Sequence, residues 1–93
     1  MPWVYILRCR DGTLYVGHTE NLSARERTHN DGAGPRYTAA RRPVHLVYSE
    51  ECESTRSAIS RERQLKRWSA QKKEALVAGD LSTLKRLSRR RTA

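Results

Sequence analysis

The sequence contains no phenylalanine, a single methionine, three prolines and two cysteines among its 93 residues. Two cysteines are too few for a disulfide framework or a four-ligand zinc site, so we expect Cys9 and Cys52 to be reduced thiols of a cytoplasmic protein. No apolar run approaches the roughly 18 residues of a membrane helix, and no membrane partner is expected. The first residues lack a basic region and a small-residue cleavage site, which argues against a signal peptide.

Several motifs of known chemistry are also missing. The three histidines are scattered and no Cys-x-x-Cys pair occurs, so spacing alone predicts no metal cluster. No glycine-rich phosphate loop precedes a helix, and no Gly-x-Ser-x-Gly elbow appears. We therefore expect no small-molecule cofactor.

Positive charge, by contrast, is abundant and unevenly placed. The formal net charge is +9, and 15 of the 19 basic residues are arginine. Residues 1–53 hold seven basic and seven acidic side chains, whereas residues 54–93 hold twelve basic and three acidic ones. Because the planar guanidinium binds phosphate in a bidentate manner, this imbalance predicts a polyanionic partner. The alternative is that the charge only maintains solubility.

Two apolar segments near the N-terminus predict a β-hairpin over residues 3–18. The Asp-Gly pair within it allows two turns. A two-residue type I′ turn would place Tyr5 and Tyr15 on opposite faces of the sheet. A three-residue loop with Gly12 in the left-handed region would place both tyrosines on one face, with Gly17 opposite Tyr5.

The first predicted helix has an unusual composition. It extends from an N-cap at position 19 or 21 to about position 30, and its only apolar members are Leu22 and Ala24. The face that contains Leu22 continues with Arg25 and His29, at i+3 and i+7. Either this helix is merely solvated, or its polar face is directed into a site.

The rest of the chain predicts one more strand and three more helices. A long loop over residues 30–43, of a length that is often functional, leads to a strand over Val44–Ser49. The helices follow N-caps at Ser54 or Thr55, at Ser69 and at Asp80. In the first of them, which reaches about Trp68, Glu62 lies within the apolar arc. An acid there is costly unless a partner or an ion compensates its charge.

Together these elements predict a single α/β domain over residues 1–88. Its core is a small three-stranded, mostly antiparallel sheet flanked by helices. The basic residues 89–93 are predicted to form a disordered tail. The chain is expected to be a monomer or a weak dimer.

Five segments, taken in order, resemble the GIY-YIG nuclease superfamily. The matching segments are Trp3-Val4-Tyr5 with Tyr15-Val16-Gly17, Thr19-x-Asn21-Leu22-x-x-Arg25-x-x-x-His29, Tyr37-Thr38, Arg41-Arg42-Pro43-Val44, and Arg61-Glu62 with Leu65-Lys66-x-Trp68. The spacing of ten residues between the two motif tyrosines is similar as well. The departures are Trp3 at the position of the name-giving glycine and Val16 in place of isoleucine. The resemblance covers about residues 3–73 and is strongest to small stand-alone bacterial members.

The resemblance implies a GIY-YIG-like fold and a divalent-metal-dependent endonuclease that hydrolyses DNA, with a role in DNA repair or processing. Glu62 would hold one Mg²⁺ or Mn²⁺, mostly through water. Arg25 would pair with the scissile phosphate. Tyr5 would orient or deprotonate the attacking water, with Tyr15 beside it, and His29 would relay the proton or hold a phosphate. Since free tyrosine has a pKa near ~10, Tyr5 acts as a base only if the metal and Arg25 lower its pKa.

Further residues are implied to bind DNA around that centre. They are Gly17, His18, Arg36, Tyr37, Arg41, Arg42, Arg63 and Arg67. The arginines are expected to position phosphates rather than to take part in the chemistry. Structural interpretations compete with these roles. Glu62 can pair with Lys66 at i+4, Arg25 and His29 can be solvated, and strand tyrosines are commonly core residues. His18 can be a surface residue at a strand end.

Two other functions compete with the enzyme. The same fold could be an inactive module that grips DNA or RNA through its basic helices. Alternatively, the chain could be an RNA-associated basic protein in which the nuclease motif is coincidental. All five residues implied at the reacting centre are present, and this favours the enzyme over the inactive module. The first predicted helix has almost no apolar residues on its face, and this favours the enzyme over the RNA-associated protein.

Overall fold

The structure is a computed structural model that describes residues 1–88, so the predicted disorder of the tail 89–93 lies outside the described residues. Three strands and five helices follow one another along the chain. They are β1 (Trp3–Arg8), β2 (Leu14–Thr19), α1 (Leu22–Asn30), α2 (Arg36–Ala39), β3 (His45–Glu51), α3 (Thr55–Lys66), α4 (Ala70–Ala78) and α5 (Leu81–Ser88). Among these elements, no helix has the length and apolar character needed to cross a bilayer.

The sheet has the order β2-β1-β3, and both described strand pairs are antiparallel. The predicted fold class is therefore confirmed. The central strand β1 is the most apolar one, as expected for a strand that is covered on both faces. An irregularity in the pairing with β3 lies between Ile6 and Leu7. Since β1 lies between the other two strands, β2 and β3 are the edge strands of the sheet.

The hairpin turn is the three-residue loop, one of the two turns that the sequence allows. Cys9 donates a backbone hydrogen bond to Thr13 O at 2.8 Å, and Gly12 has a φ of 88°. This left-handed conformation suits glycine, since a side chain there is strained. The resulting register pairs Leu7 with Tyr15 and Tyr5 with Gly17, and Tyr5 and Tyr15 therefore lie on the same face of the sheet.

Each face of the sheet carries its own apolar cluster. On one face, Val4, Ile6 and Val16 pack against Ala58 and Leu65 of α3. On the other face, the buried members are Tyr5, Leu7, Cys9 and Val44. Leu22 of α1 packs against this second cluster. Helices thus cover both faces, with α3 on one side and α1 on the other.

Polar contacts hold α1 in place, which explains its lack of an apolar face. Glu26 accepts a hydrogen bond from the backbone N–H of Leu46 at 2.8 Å. The side chain of Asn30 accepts from Val44 N at 2.7 Å and donates to Val44 O at 2.9 Å. His29 is fully buried. The interpretation of this helix face as merely solvated is therefore wrong for His29.

The element bounds correct the sequence prediction in three places. The segment 30–43 is not a continuous loop, because it contains the short helix α2. The strand predicted over Val44–Ser49 begins one residue later and continues to Glu51. The helix predicted to reach Trp68 ends at Lys66, where Arg67 forms the C-cap. The N-caps at Ser54 and Ser69 have the expected side-chain hydrogen bonds to helix N–H groups.

Candidate active site

The side chain of Tyr5 extends from the central strand across Gly17 of the edge strand β2. A Cβ atom placed on Gly17 would collide with the hydroxyl and the ring of Tyr5. The absence of a side chain at position 17 is therefore what allows the Tyr5 hydroxyl to reach the β2 edge. Gly17 was predicted to bind substrate, and the structure gives it this structural role.

Two side chains from α1 contact the Tyr5 hydroxyl. Its oxygen lies 2.9 Å from Nε2 of the buried His29, and the Nε–H of Arg25 donates to the same oxygen at 3.4 Å. Arg25 and His29 are four residues apart, so one turn of α1 presents both side chains to the tyrosine. The predicted helix face of Leu22, Arg25 and His29 is thus directed inward.

Burial controls the protonation of this pair. Burial raises the pKa of the Tyr5 hydroxyl, and this outweighs the lowering by the hydrogen bond and the charge of Arg25. Burial also lowers the pKa of His29, and the Arg25 charge lowers it further. At neutral pH, Tyr5 is a neutral phenol and His29 is a neutral imidazole. Arg25 alone therefore does not make Tyr5 a phenolate.

Tyr15 lies beside His29 on the same face of the sheet. The centres of the two rings are 5.3 Å apart, and the centre of the Tyr37 ring lies 6.0 Å from that of Tyr15. The guanidinium of Arg41 covers the Tyr37 ring at 3.9 Å. Tyr15 is only half-buried and Tyr37 is exposed, so this aromatic row leads from the buried His29 to the surface.

Glu62 reaches the β2 edge from α3, on the opposite side of the sheet. Its Oε1 is 2.6 Å from Nδ1 of His18, and its Oε2 is 2.9 Å from Nζ of Lys66. Burial raises the pKa of the Glu62 carboxyl, but the hydrogen bonds from Lys66 and His18 lower it more, so that its pKa is below its ordinary value. The charge of Glu62 is thus compensated within the protein, and its expected pairing with Lys66 is present.

The predicted centre is assembled from both sides of the sheet. Tyr5 and Tyr15 both contact His29, with ring centres 5.9 Å and 5.3 Å away. The Lys66 ammonium, which contacts Glu62, lies 5.6 Å from the centre of the Tyr15 ring. The five residues predicted at the reacting centre therefore lie together around the β2 edge, although their roles stay predictions.

The arginines predicted to bind DNA from α3 and those predicted from the segment before β3 have different surroundings. Arg63 and Arg67 are exposed on the outer side of α3 and line a groove of about 750 Å³ together with Arg56 and Trp68. In the loop before β3, the guanidinium groups already have protein partners. Arg41 contacts Asp11 at 3.0 Å, and Arg42 donates to Ala39 O at 2.9 Å.

His18, Arg36 and Tyr37 complete the predicted set. Arg36 and Tyr37 are exposed on α2. His18 was predicted to touch substrate, and the structure places it against Glu62.

Two residues of the site were not predicted as site residues from the sequence. Thr38, fully buried, lies with its Oγ1 2.7 Å from His29 Nδ1, and Lys66 lies between Glu62 and Tyr15. The i+4 spacing predicted the Glu62–Lys66 pair but not the Tyr15 contact. No local pattern places Thr38 on His29, because that contact depends on how the segment between α1 and β3 folds back.

Metal-binding potential is concentrated at Glu62. Within residues 1–88, no group of three or more His, Cys, Asp or Glu side chains is close enough to hold a metal ion. One carboxylate with an adjacent imidazole fits an ion that retains most of its water ligands, as Mg²⁺ and Mn²⁺ do. The donor set does not fit a caged, fully protein-ligated ion.

Comparison with known proteins decides the family. The profile described as the GIY-YIG catalytic domain matches residues 1–75, which include every residue of the centre described above. The chain belongs to the GIY-YIG family. In this GIY-YIG protein the name-giving motifs are the segments of β1 and β2 that carry Tyr5 and Tyr15.

The chain is also similar to small bacterial proteins. A UPF0213 protein of Staphylococcus aureus is 47% identical over 75 residues, which cover 81% of this chain and 92% of that protein. The solution NMR structure of a UPF0213 protein from Bacillus halodurans has a TM-score of 0.54 at 39% identity, and 84% of each chain is covered. A protein of E. faecalis has a TM-score of 0.55 at 32% identity, covering 98% of this chain and 92% of that one. This chain shares its fold with both structures.

Proposed function

We propose that this GIY-YIG protein is a divalent-metal-dependent endonuclease that hydrolyses phosphodiester bonds in DNA. One observation carries the proposal: the Tyr5 hydroxyl contacts both the buried imidazole of His29 and the Arg25 guanidinium. A buried hydroxyl with a proton acceptor on one side and a cation on the other is arranged to move a proton next to an anion. A purely structural tyrosine does not require both.

The proton route starts at Tyr5. Because Tyr5 is a neutral phenol, it accepts a proton from the attacking water only as it gives up its own. His29 Nε2, at 2.9 Å, is within reach of that proton. The neutral imidazole becomes an imidazolium in this step, and the net result is transfer of the water proton to His29.

Arg25 and Glu62 are proposed to act on the phosphate group, Arg25 by binding it and Glu62 by holding a metal ion. Arg25 uses its Nε–H on Tyr5, which leaves its terminal N–H groups for a nonbridging phosphate oxygen. Glu62 would hold Mg²⁺ or Mn²⁺, with His18 beside the same carboxylate. When bound, such an ion supplies Lewis-acid stabilisation of the charge that develops on the phosphate. Lys66 adds a fixed positive charge next to Glu62 and Tyr15.

DNA binding is proposed to use the outer side of α3. Three exposed arginines, Arg56, Arg63 and Arg67, lie along one groove. Guanidinium groups at this spacing can follow a phosphate backbone, with Trp68 at the end of the groove. A role in DNA repair or processing and a cytoplasmic location belong to the same proposal.

Cleavage of defined DNA by the purified protein tests the function. Single-stranded, duplex and branched DNA are each incubated with Mg²⁺, with Mn²⁺ and with a chelator. We expect metal-dependent cleavage that falls by at least about 100-fold in Tyr5→Phe, which keeps the ring and removes the hydroxyl. Tyr48→Phe is the matched control, because Tyr48 lies on β3 and its hydroxyl donates to Glu50 at 2.9 Å.

The outcomes separate the competing functions. Tight DNA binding without cleavage in any metal would favour the inactive binding module. Preferential binding of RNA, again without cleavage, would favour the RNA-associated protein. Equal cleavage by the parent and Tyr5→Phe would remove the role proposed for Tyr5.

A further inference from the structure

A chain of two hydrogen bonds continues beyond His29, away from the reacting centre. His29 Nδ1 is 2.7 Å from the hydroxyl oxygen of Thr38, and that hydroxyl donates to the carbonyl oxygen of Pro35 at 3.1 Å. His29 and Thr38 are fully buried, so water does not replace either partner. The bond between His29 and Thr38 therefore has to be satisfied by the protein itself.

The hydrogens of the chain have one consistent assignment. Thr38 has a single hydroxyl hydrogen, and a hydroxyl that donates to Pro35 O can only accept from His29 Nδ1. The imidazole hydrogen then lies on Nδ1, and Nε2 is left as an acceptor for the Tyr5 hydroxyl. The reverse assignment places hydrogen on Nε2. The Tyr5 oxygen would then accept from both His29 and Arg25, and its own hydrogen would have no partner among these groups.

The backbone around Thr38 supports this arrangement. Thr38 lies in the short helix α2, where its hydroxyl bonds back to the carbonyl three residues earlier, a bond that threonine makes readily in helices. Gly34 lies against the imidazole, since a Cβ atom there would approach Nδ1 to 2.8 Å. Gly34 and Thr38 thus both lie next to Nδ1 of the imidazole, and Thr38 supplies its hydrogen-bond partner.

We propose that Thr38 is a positioning residue that holds His29 in the Nδ1–H tautomer, so that Nε2 is free to accept the proton of Tyr5. Its effect on cleavage rests on the proposed function, but its effect on the tautomer does not. Thr38 contacts neither Tyr5 nor Arg25 in the hydrogen-bond network, and it acts through His29 alone.

NMR of protein labelled with ¹⁵N in histidine tests the proposal directly. The ring nitrogen that carries hydrogen is identified by its bonded proton, in the parent, in Thr38→Val and in Thr38→Ser. We expect Nδ1–H in the parent and in Thr38→Ser, and loss of the pure Nδ1–H form in Thr38→Val, which keeps the shape but offers no acceptor. Thr28→Val is the matched control, because the Thr28 hydroxyl donates to Ala24 O on α1.

Single-turnover cleavage adds the functional readout. We expect Thr38→Val to cleave about 10–100-fold more slowly than the parent, with Thr38→Ser restoring most of the rate. Hydrogen on Nε2 in the parent would overturn the proposal, as would an unchanged tautomer in a folded Thr38→Val. If Thr38→Val does not fold, the spectra of the parent and Thr38→Ser still decide the tautomer. A parent that shows Nδ1–H but cleaves no DNA would defeat the proposed function and leave the role of Thr38 intact.

Discussion

Tyr5 and Gly17 are direct partners in the β1–β2 ladder, and the Tyr5 hydroxyl extends over the bare backbone of Gly17. This one pairing connects the hairpin turn to the reacting centre. The three-residue loop with Gly12 in the left-handed region sets the register. The register then places Gly17 opposite Tyr5, so that the tyrosine side chain can extend over the glycine backbone. A shift by one residue would face a side chain to Tyr5 and turn Tyr15 to the other face.

Gly17→Ala tests this relationship. The new methyl group occupies the place of the Tyr5 hydroxyl, so the tyrosine has to move and lose its bonds to His29 and Arg25. We expect a loss of about 1–3 kcal/mol in the free energy of unfolding, as for an overpacked site. Cleavage should fall by about 100-fold, since a displacement near 1 Å at a reacting group has that effect. Chemical denaturation and single-turnover cleavage measure the two quantities.

Gly79→Ala is the control for this variant. Gly79 ends α4 with a φ of 69°, and a Cβ atom there meets no other atom within 4 Å. The substitution should therefore cost about 1–2 kcal/mol through backbone strain alone and leave cleavage by folded protein unchanged. If folded Gly17→Ala cleaves as fast as Gly79→Ala, a bare backbone at position 17 is not needed to position the Tyr5 hydroxyl.

The sequence predicted the elements of this fold better than their contacts. Alternating β-branched residues and N-cap residues are local signals, and they located the three strands and the helices that follow Ser54, Ser69 and Asp80. The hairpin turn depends on the left-handed conformation of one glycine, for which the sequence allowed two solutions. The attachment of α1 through Glu26 and Asn30 has no local signal, because their backbone partners lie on β3 or just before it.

At the site, only one of the two partners of Glu62 could be predicted from the sequence. Its position in an apolar arc indicated a charge that a partner or an ion has to compensate. The structure pairs both carboxylate oxygens, one with Lys66 from its own helix and one with His18 from β2. The i+4 partner can be found from spacing. The strand partner cannot, because it depends on how α3 packs across the sheet.

Glu62→Gln is now expected to lose a little stability while it loses most of its cleavage. The lowered pKa of Glu62 means that the folded state favours the carboxylate, and this stability is present above the ordinary pKa of 4.5 and lost as pH falls. Loss of the Lys66 pair should cost about 0.5 kcal/mol. Metal-dependent cleavage should fall by about three orders of magnitude, because a metal contributes several kcal/mol to the transition state. DNA binding should be retained.

The control is Glu74→Gln, which also breaks a carboxylate pair, that with Arg8. Both variants are followed by thermal melting, DNA titration and single-turnover cleavage. We expect Glu74→Gln to lose stability without losing cleavage by folded protein. Parent-level cleavage by a folded Glu62→Gln would remove Glu62 from the metal site.

The salt dependence of DNA binding tests the groove on α3. Replacing Arg63 and Arg67 together by alanine should flatten the slope of log affinity against log salt by about 2 for duplex DNA, since each phosphate contact contributes about 0.9. The cleavage rate of fully bound substrate should change little, as neither side chain bonds to the reacting centre. The matched control removes two cations from α5, Lys85 and Arg86. An equal flattening in both variants would show that net charge alone sets affinity, and an unchanged slope would move the contact surface elsewhere.

The pH dependence of stability tests whether His29 is buried in its neutral form. Burial and the Arg25 charge lower the pKa of His29 below its ordinary 6.5, and Tyr5, Tyr15 and Thr38 are the other groups around its ring. Between that lowered pKa and 6.5, the unfolded chain binds a proton that the folded protein does not. The free energy of unfolding therefore falls as pH is lowered through this window, by at most about 1.4 kcal/mol per pH unit.

Denaturant unfolding between about pH 8 and pH 5 measures this slope. The parent and His45→Gln, which alters an exposed histidine, should share it, whereas His29→Gln should lose it. Cleavage of bound DNA by the parent should persist through this window and fall only at its acidic edge, where folded His29 gains a proton and its Nε2 can no longer accept one from Tyr5. The carboxylates with lowered pKa values, among them Glu62 and Glu74, titrate below 4.5 and stay outside this window. A parent whose stability is constant from pH 8 to 5 would show that folding does not lower the pKa of His29. Stability that rises on acidification would show that folding raises this pKa, and either result contradicts a His29 that burial keeps neutral.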